Sequence, residues 1–92
     1  MYSFSYSEKL KKILKKLYKK DKVQYEALMN KINEIVNSYD IEHYKNLKYD
    51  LSDKKRVHVM GSFVLVFIYD KKNNAILFED YDHHDKIYRW WY

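Results

Sequence analysis

The chain has 92 residues, enough for one domain with a modest core. It contains no cysteine, which excludes disulfides and thiolate metal sites, and it shows neither an apolar run of bilayer-spanning length nor a signal-peptide core near Met1, so a soluble cytoplasmic protein is expected. Lysine and arginine number 18 against 13 acidic residues, a formal charge of +5, and 11 Tyr accompany that charge; this suits phosphate neutralisation with base stacking, and equally a solvated lysine-rich surface.

Tyr2-Ser3-Phe4-Ser5-Tyr6 alternates aromatic and small polar residues, the period of a short strand with its rings on one face. Ser7 followed by Glu8 suits a helix N-cap with an acid at the positive helix end. Leu10, Ile13, Leu14, Leu17 and Tyr18 then recur at helical spacing, and lysines fill most other positions. The predicted helix, residues 7 to 20, has a strongly basic outer face. Most of that face reads as solvated surface; Lys11 and Lys15 are candidates for an RNA or ribosome contact without sequence specificity.

Asp21 caps a second predicted helix, residues 21 to 38. Val23, Leu28, Ile32, Ile35, Val36 and Tyr39 form its apolar stripe, widened by Tyr25 and Met29. The very short connection makes the two helices a hairpin. Asp40 to Asp53 is irregular and carries His43, Lys45 and Lys48. Arg56-Val57-His58-Val59 reads as a strand, Val64 to Phe67 as a second, and Ala75 onward as a third after the turn residues Lys71-Lys72-Asn73-Asn74. The fold class expected is α+β: an N-terminal strand, a helical hairpin, then an antiparallel β-meander with the helices packed on one sheet face. The opposite face is expected to be free for binding. Ile87, Tyr88, Trp90, Trp91 and Tyr92 end the chain as an aromatic tail that either folds back or meets a partner.

His58 alternates with Val57 and Val59, which aims it at the face without helices. His84 precedes Tyr88 by four residues, the spacing that shares one side of a helical turn. Two imidazoles at one site can divide base and acid work near neutral pH. RNA carries its own nucleophile, the 2′-hydroxyl; cleavage then needs a base, an acid for the 5′-oxygen, and cations on the phosphate. Arg56, Lys48, Lys45 and Arg89 are the candidate cations, and Phe63 and Tyr88 the candidate base-stacking rings. Glu79, Asp80, Asp82, His83, His84 and Asp85 offer nitrogen and oxygen ligands for a metal. Strand alternation splits them between faces and no HxH or HxxxH spacing occurs, so a solvated acidic strand end is expected instead.

The order of elements and two segments resemble the RelE/ParE superfamily of toxins from toxin–antitoxin modules, and within it the RelE- and YafQ-like mRNA interferases. The resemblance spans nearly the whole chain. One segment runs from Arg56-Val57-His58 through Gly61-Ser62-Phe63 to Val64-Leu65-Val66-Phe67. The other runs from Leu77-Phe78-Glu79 to His84-Asp85-Lys86-Ile87-Tyr88. The resemblance implies catalytic roles for His58 and His84, a stacking or proton-transfer role for Tyr88, and base stacking by Phe63. Ser62 stands where YafQ-like members carry a catalytic aspartate, and His58 and Val64 stand where RelE-like members carry Arg or Lys. An endoribonuclease acting on codons in the ribosomal A site is implied, with no metal or cofactor, leaving 2′,3′-cyclic phosphate and 5′-hydroxyl ends. A small, largely helical RelB-like antitoxin is the implied partner, in a toxin–antitoxin hetero-oligomer. A ParE-like topoisomerase inhibitor and a non-catalytic RNA- or ribosome-binding module are the alternatives.

Overall fold

The computed structural model describes residues 2–47 and 53–91. In chain order it runs β1 (Ser3–Tyr6), α1 (Glu8–Lys20), α2 (Lys22–Val36), a single 3-10 turn (Ile41–His43), β2 (Lys54–Met60), β3 (Phe63–Asp70), β4 (Ala75–His83) and α3 (His84–Trp91). The sheet order is β1-β4-β3-β2, with β1 parallel to β4 and the other pairs antiparallel. The expected α+β order, helical hairpin and meander are all present.

The caps are the residues the sequence suggested. Ser7 Oγ accepts the Leu10 N–H at 3.0 Å and donates to the Glu79 carbonyl at 2.6 Å, so the start of α1 is fastened to β4. Asp21 accepts the Gln24 N–H at 3.1 Å, while its own N–H reaches the Leu17 carbonyl at 2.8 Å, closing one helix and opening the next.

One sheet face meets the helical hairpin. Leu65, Phe67, Ile76, Phe78 and Tyr81 pack there against Leu10, Leu14, Leu28, Ile32, Ile35 and Val36. Val57 and Val59 lie on the same side, so His58 faces away from the hairpin as its alternation requires. Burying a side chain of Leu or Phe size stabilises by about 1.5–3 kcal/mol, which makes this layer the main source of stability.

Three expectations need correction. Val23 and Tyr39 are 69% and 104% exposed and lie outside the core. Gln24 takes the inward position instead, satisfied by a 2.7 Å bond from its amide to the Tyr81 hydroxyl. The C-terminal segment is a helix rather than a tail: Ile87 is buried, and with Leu47 it covers Val64 and Val66 in a second, smaller core. The sheet face opposite the hairpin is therefore partly covered, not free. β3 carries buried apolar residues at consecutive positions, Val64 to Phe67, because both its faces are packed. Among the described residues, no helix is long and apolar enough to cross a membrane.

Candidate active site

The face opposite the hairpin is built from cross-strand rows, since directly paired residues point to the same side. One row is Arg56–Val66–Asp80; the next is His58–Val64–Asp82. In each, a basic residue on β2 and an acid on β4 flank a buried valine. Two strand spacings, about 10 Å, separate the ends of a row. Glu79 is the extra residue of a β-bulge in β4, left between the pairs Val66↔Asp80 and Phe67↔Phe78. The bulge reverses the alternation and turns Asp80 to this face while keeping Phe78 in the hairpin core. Asp80 is buried, and Lys9 reaches it from the first turn of α1 at 2.9 Å.

α3 lays Tyr88 over this face. The Arg56 guanidinium carbon stands 5.7 Å from the centroid of the Tyr88 ring, within cation–π range. The ring of His84 lies 6.0 Å from that of Tyr88, the one-turn neighbour anticipated from the four-residue spacing. Arg56, Tyr88 and His84 thus form one line of contacts, and His58 sits beside it, two residues from Arg56 on the same strand face. The buried Nε of Arg56 has no hydrogen-bond partner among the described residues.

A cavity of about 290 Å³ opens at the β2 edge, lined by His43, Tyr44, Lys45, Arg56, Val57 and His58. The Lys45 carbonyl accepts the Arg56 N–H at 2.9 Å, and that bond brings the loop cation alongside His58. His43 belongs to this cavity, with its ring on Tyr44 at 4.1 Å and its Nδ1 on the Asp40 carbonyl. Sequence reasoning gave His43 and Asp82 no place in this group. The bulge at Glu79 hid Asp82: alternation counted from Ile76 and Phe78 would turn it toward the hairpin. Tyr44 is held neutral: burial, then its bond to Glu34 at 3.1 Å, push its hydroxyl up to about 12.

Other candidates lie elsewhere. Phe63 pairs with His83 and stacks on Tyr81 at 5.6 Å on the hairpin side of the sheet, so it does not share a face with His58 and Tyr88. It lines a second cavity, about 410 Å³, with Asp21, Gln24, Met60, Gly61, Ser62 and His83. Lys11 and Lys15 are on the exposed face of α1, across the sheet from His58; Lys11 is paired with Glu8 at 3.1 Å. Arg89 is exposed on α3. Lys48 falls outside the described residues.

No protein-family model matches the chain. It is 47% identical over 97% of its length, and 93% of the relative's, to a protein of Methanocaldococcus jannaschii whose name marks it as a candidate toxin, RelE4. Among solved structures it resembles Escherichia coli YafQ, in its complex with DinJ, with a TM-score of 0.62 at 19% identity over 94% of this chain and 97% of that one. It also resembles a chain of the RelBE2 toxin–antitoxin complex of Mycobacterium tuberculosis, with a TM-score of 0.57 at 15% identity over 89% of this chain and 96% of that one. The structural likenesses establish the fold; the close relative, matched from end to end, establishes the family: the chain belongs to the RelE toxins of toxin–antitoxin modules.

Proposed function

We propose that the chain is a ribosome-dependent endoribonuclease that cuts mRNA and so blocks translation, neutralised by a RelB-like antitoxin. The observation that carries this reading is the grouping of Arg56, His58 and Tyr88 on one sheet face, with His84 against Tyr88 at its end. One histidine takes the proton of the 2′-hydroxyl, whose oxygen forms a bond to phosphorus. The bond from phosphorus to the 5′-oxygen breaks, and the other histidine protonates that oxygen. The ends are a 2′,3′-cyclic phosphate and a 5′-hydroxyl. Arg56, with an unspent buried donor, and Lys45, at the mouth of the same cavity, suit the non-bridging oxygens. Tyr88 offers a ring for a base or a hydroxyl for the proton relay. Phe63, around the sheet end, suits a neighbouring nucleotide rather than the one being cut. Asp82, across Val64 from His58, supplies the carboxylate on this face that Ser62 does not.

The antitoxin would meet two surfaces. An apolar groove lined by Phe4, Tyr6, Met29, Ile32 and Val36 offers buried area, and the lysines of α1 offer charge to acidic residues. Programmed ribosomes carrying end-labelled mRNA test the reading. Cuts within the A-site codon, with cyclic phosphate ends and no cutting of free mRNA, are expected. Ribosome binding without cuts would replace this reading with a non-catalytic module, and inhibition of supercoiling without RNA cleavage would replace it with a topoisomerase inhibitor.

A further inference from the structure

We infer that His83, His84 and Asp85 form a binding site for a late first-row divalent metal ion such as Zn2+, which shares His84 with the cleavage site proposed above. Along a continuous strand, successive residues would point to opposite faces, and these three could not converge. The chain does not stay a strand: β4 ends at His83 and α3 begins at His84. At that switch the two imidazoles come side by side, with centroids 4.6 Å apart and planes tilted by 32°. Asp85 closes the group. Its carboxylate lies 3.0 Å from His84 Nδ1 and 3.7 Å from His83 Nδ1. One ligand atom from each residue fits within 4.8 Å of the other two. Metal bonds of about 2.0–2.2 Å place tetrahedral ligands some 3–3.5 Å apart, within reach of small side-chain rotations.

The donor set selects the ion. Two neutral imidazoles and one carboxylate suit Zn2+, Ni2+ or Cu2+, while Mg2+ and Ca2+ prefer all-oxygen shells. The metal takes the place of the proton between His84 Nδ1 and the Asp85 carboxylate. All three side chains are partly exposed, so an ion can enter without unfolding and waters complete its shell. The carbonyl of Ser62 holds His84 N at 2.7 Å, and Phe63 meets the His83 ring edge-on at 5.8 Å, so both ligand-bearing residues are already anchored. Two features oppose binding: the positive end of α3, and the Asp85 N–H donating to His83 Nδ1 at 3.2 Å. Both favour a weak, exchangeable site over a permanent structural one.

A consequence follows that rests on the proposed cleavage reaction: a metal on His84 removes it from proton transfer, so the ion inhibits. The binding test does not depend on that reaction. Full-length protein is titrated with ZnCl2 by calorimetry near neutral pH, and the imidazole signals are followed by NMR. Saturable uptake of one ion is expected, with the His83 and His84 signals shifting first and no uptake of Mg2+. Affinity should fall about tenfold or more in His83→Gln and in the exposed-site variant Asp85→Asn, and stay unchanged in the control His43→Ala. No saturable uptake below about 1 mM, affinities unchanged in both ligand variants, or shifts confined to other histidines would overturn the site.

Discussion

The carbonyl of Ser62 accepts the N–H of His84 at 2.7 Å, tying the β2–β3 turn to the first residue of α3. That bond sets where α3 starts, and therefore where Tyr88 falls over Arg56. The turn depends on Gly61, whose φ of +56° lies in the left-handed region. No atom stands within 4 Å of a Cβ placed there, so a substitution would meet backbone strain rather than a clash. Gly61→Ala should cost about 1 kcal/mol in urea unfolding, and Gly61→Asn less, because Asn tolerates this region. Cleavage should fall further than stability predicts if the turn also positions His84. Equal stability of all three proteins would contradict the assignment.

Gln24 and Tyr81 form the polar pair inside the hairpin-side core. Tyr81→Phe keeps the ring and its stack on Phe63 but leaves the Gln24 amide unsatisfied. A loss of about 1–3 kcal/mol is expected by chemical denaturation. Gln24→Met with Tyr81→Phe should recover part of it, since two apolar partners remove the orphaned group.

Tyr44 gives the protein an alkaline weakness. Its hydroxyl is raised from the ordinary value of 10.0 to about 12 by burial and by its bond to Glu34. The folded value lies above the unfolded one, so the associated stability is complete below pH 10 and is lost as pH rises from 10 through 12. Wild type should lose more stability across that window than Tyr44→Phe, as read by urea midpoints at a series of pH values. Glu34 works in the other direction. Its hydrogen bond from Lys31 leads in holding its carboxyl below the ordinary 4.5, so this exposed group adds a small stability that fades in acid as pH falls through the depressed value.

The exposed lysines of α1 test whether that face touches RNA or only water. Lys12, Lys15, Lys16, Lys19 and Lys20 line one basic patch. If it meets rRNA phosphates, replacing Lys15 and Lys19 with Gln should reduce the salt dependence of ribosome binding by roughly one counterion per lysine replaced. An unchanged salt slope would assign the patch to solvation.

The legible parts of the chain were those written in local chemistry. Ser7 and Asp21 signalled their caps, Val57-His58-Val59 signalled its facing, and His84 with Tyr88 signalled a shared helical side. What stayed hidden depended on contacts distant in sequence. Val23 looked as apolar as any core position, but its helical angle turns it to water and gives the place to Gln24. The eight residues of α3 looked like a tail because their helical period is short and crowded with aromatics, and only packing against Val64 and Val66 defines them. The bulge at Glu79 reverses the facing of Asp80, and no strand pattern announces it. Phe63 follows the same rule: its sequence named it only as a base-stacking ring beside Tyr88, while its pairing with His83 and its packing on Tyr81 place it on the hairpin side.

The central claim is that His58 and His84 act together on one phosphate. The most direct test is the single-turnover cleavage rate of A-site mRNA on programmed ribosomes, for wild type, His58→Ala, His84→Ala and the double variant, each confirmed folded. Each single variant should lose about 10²–10⁴-fold, and the double should lose less than the product of the two, as expected for residues acting as a unit. Wild-type rates in either single variant would contradict the account.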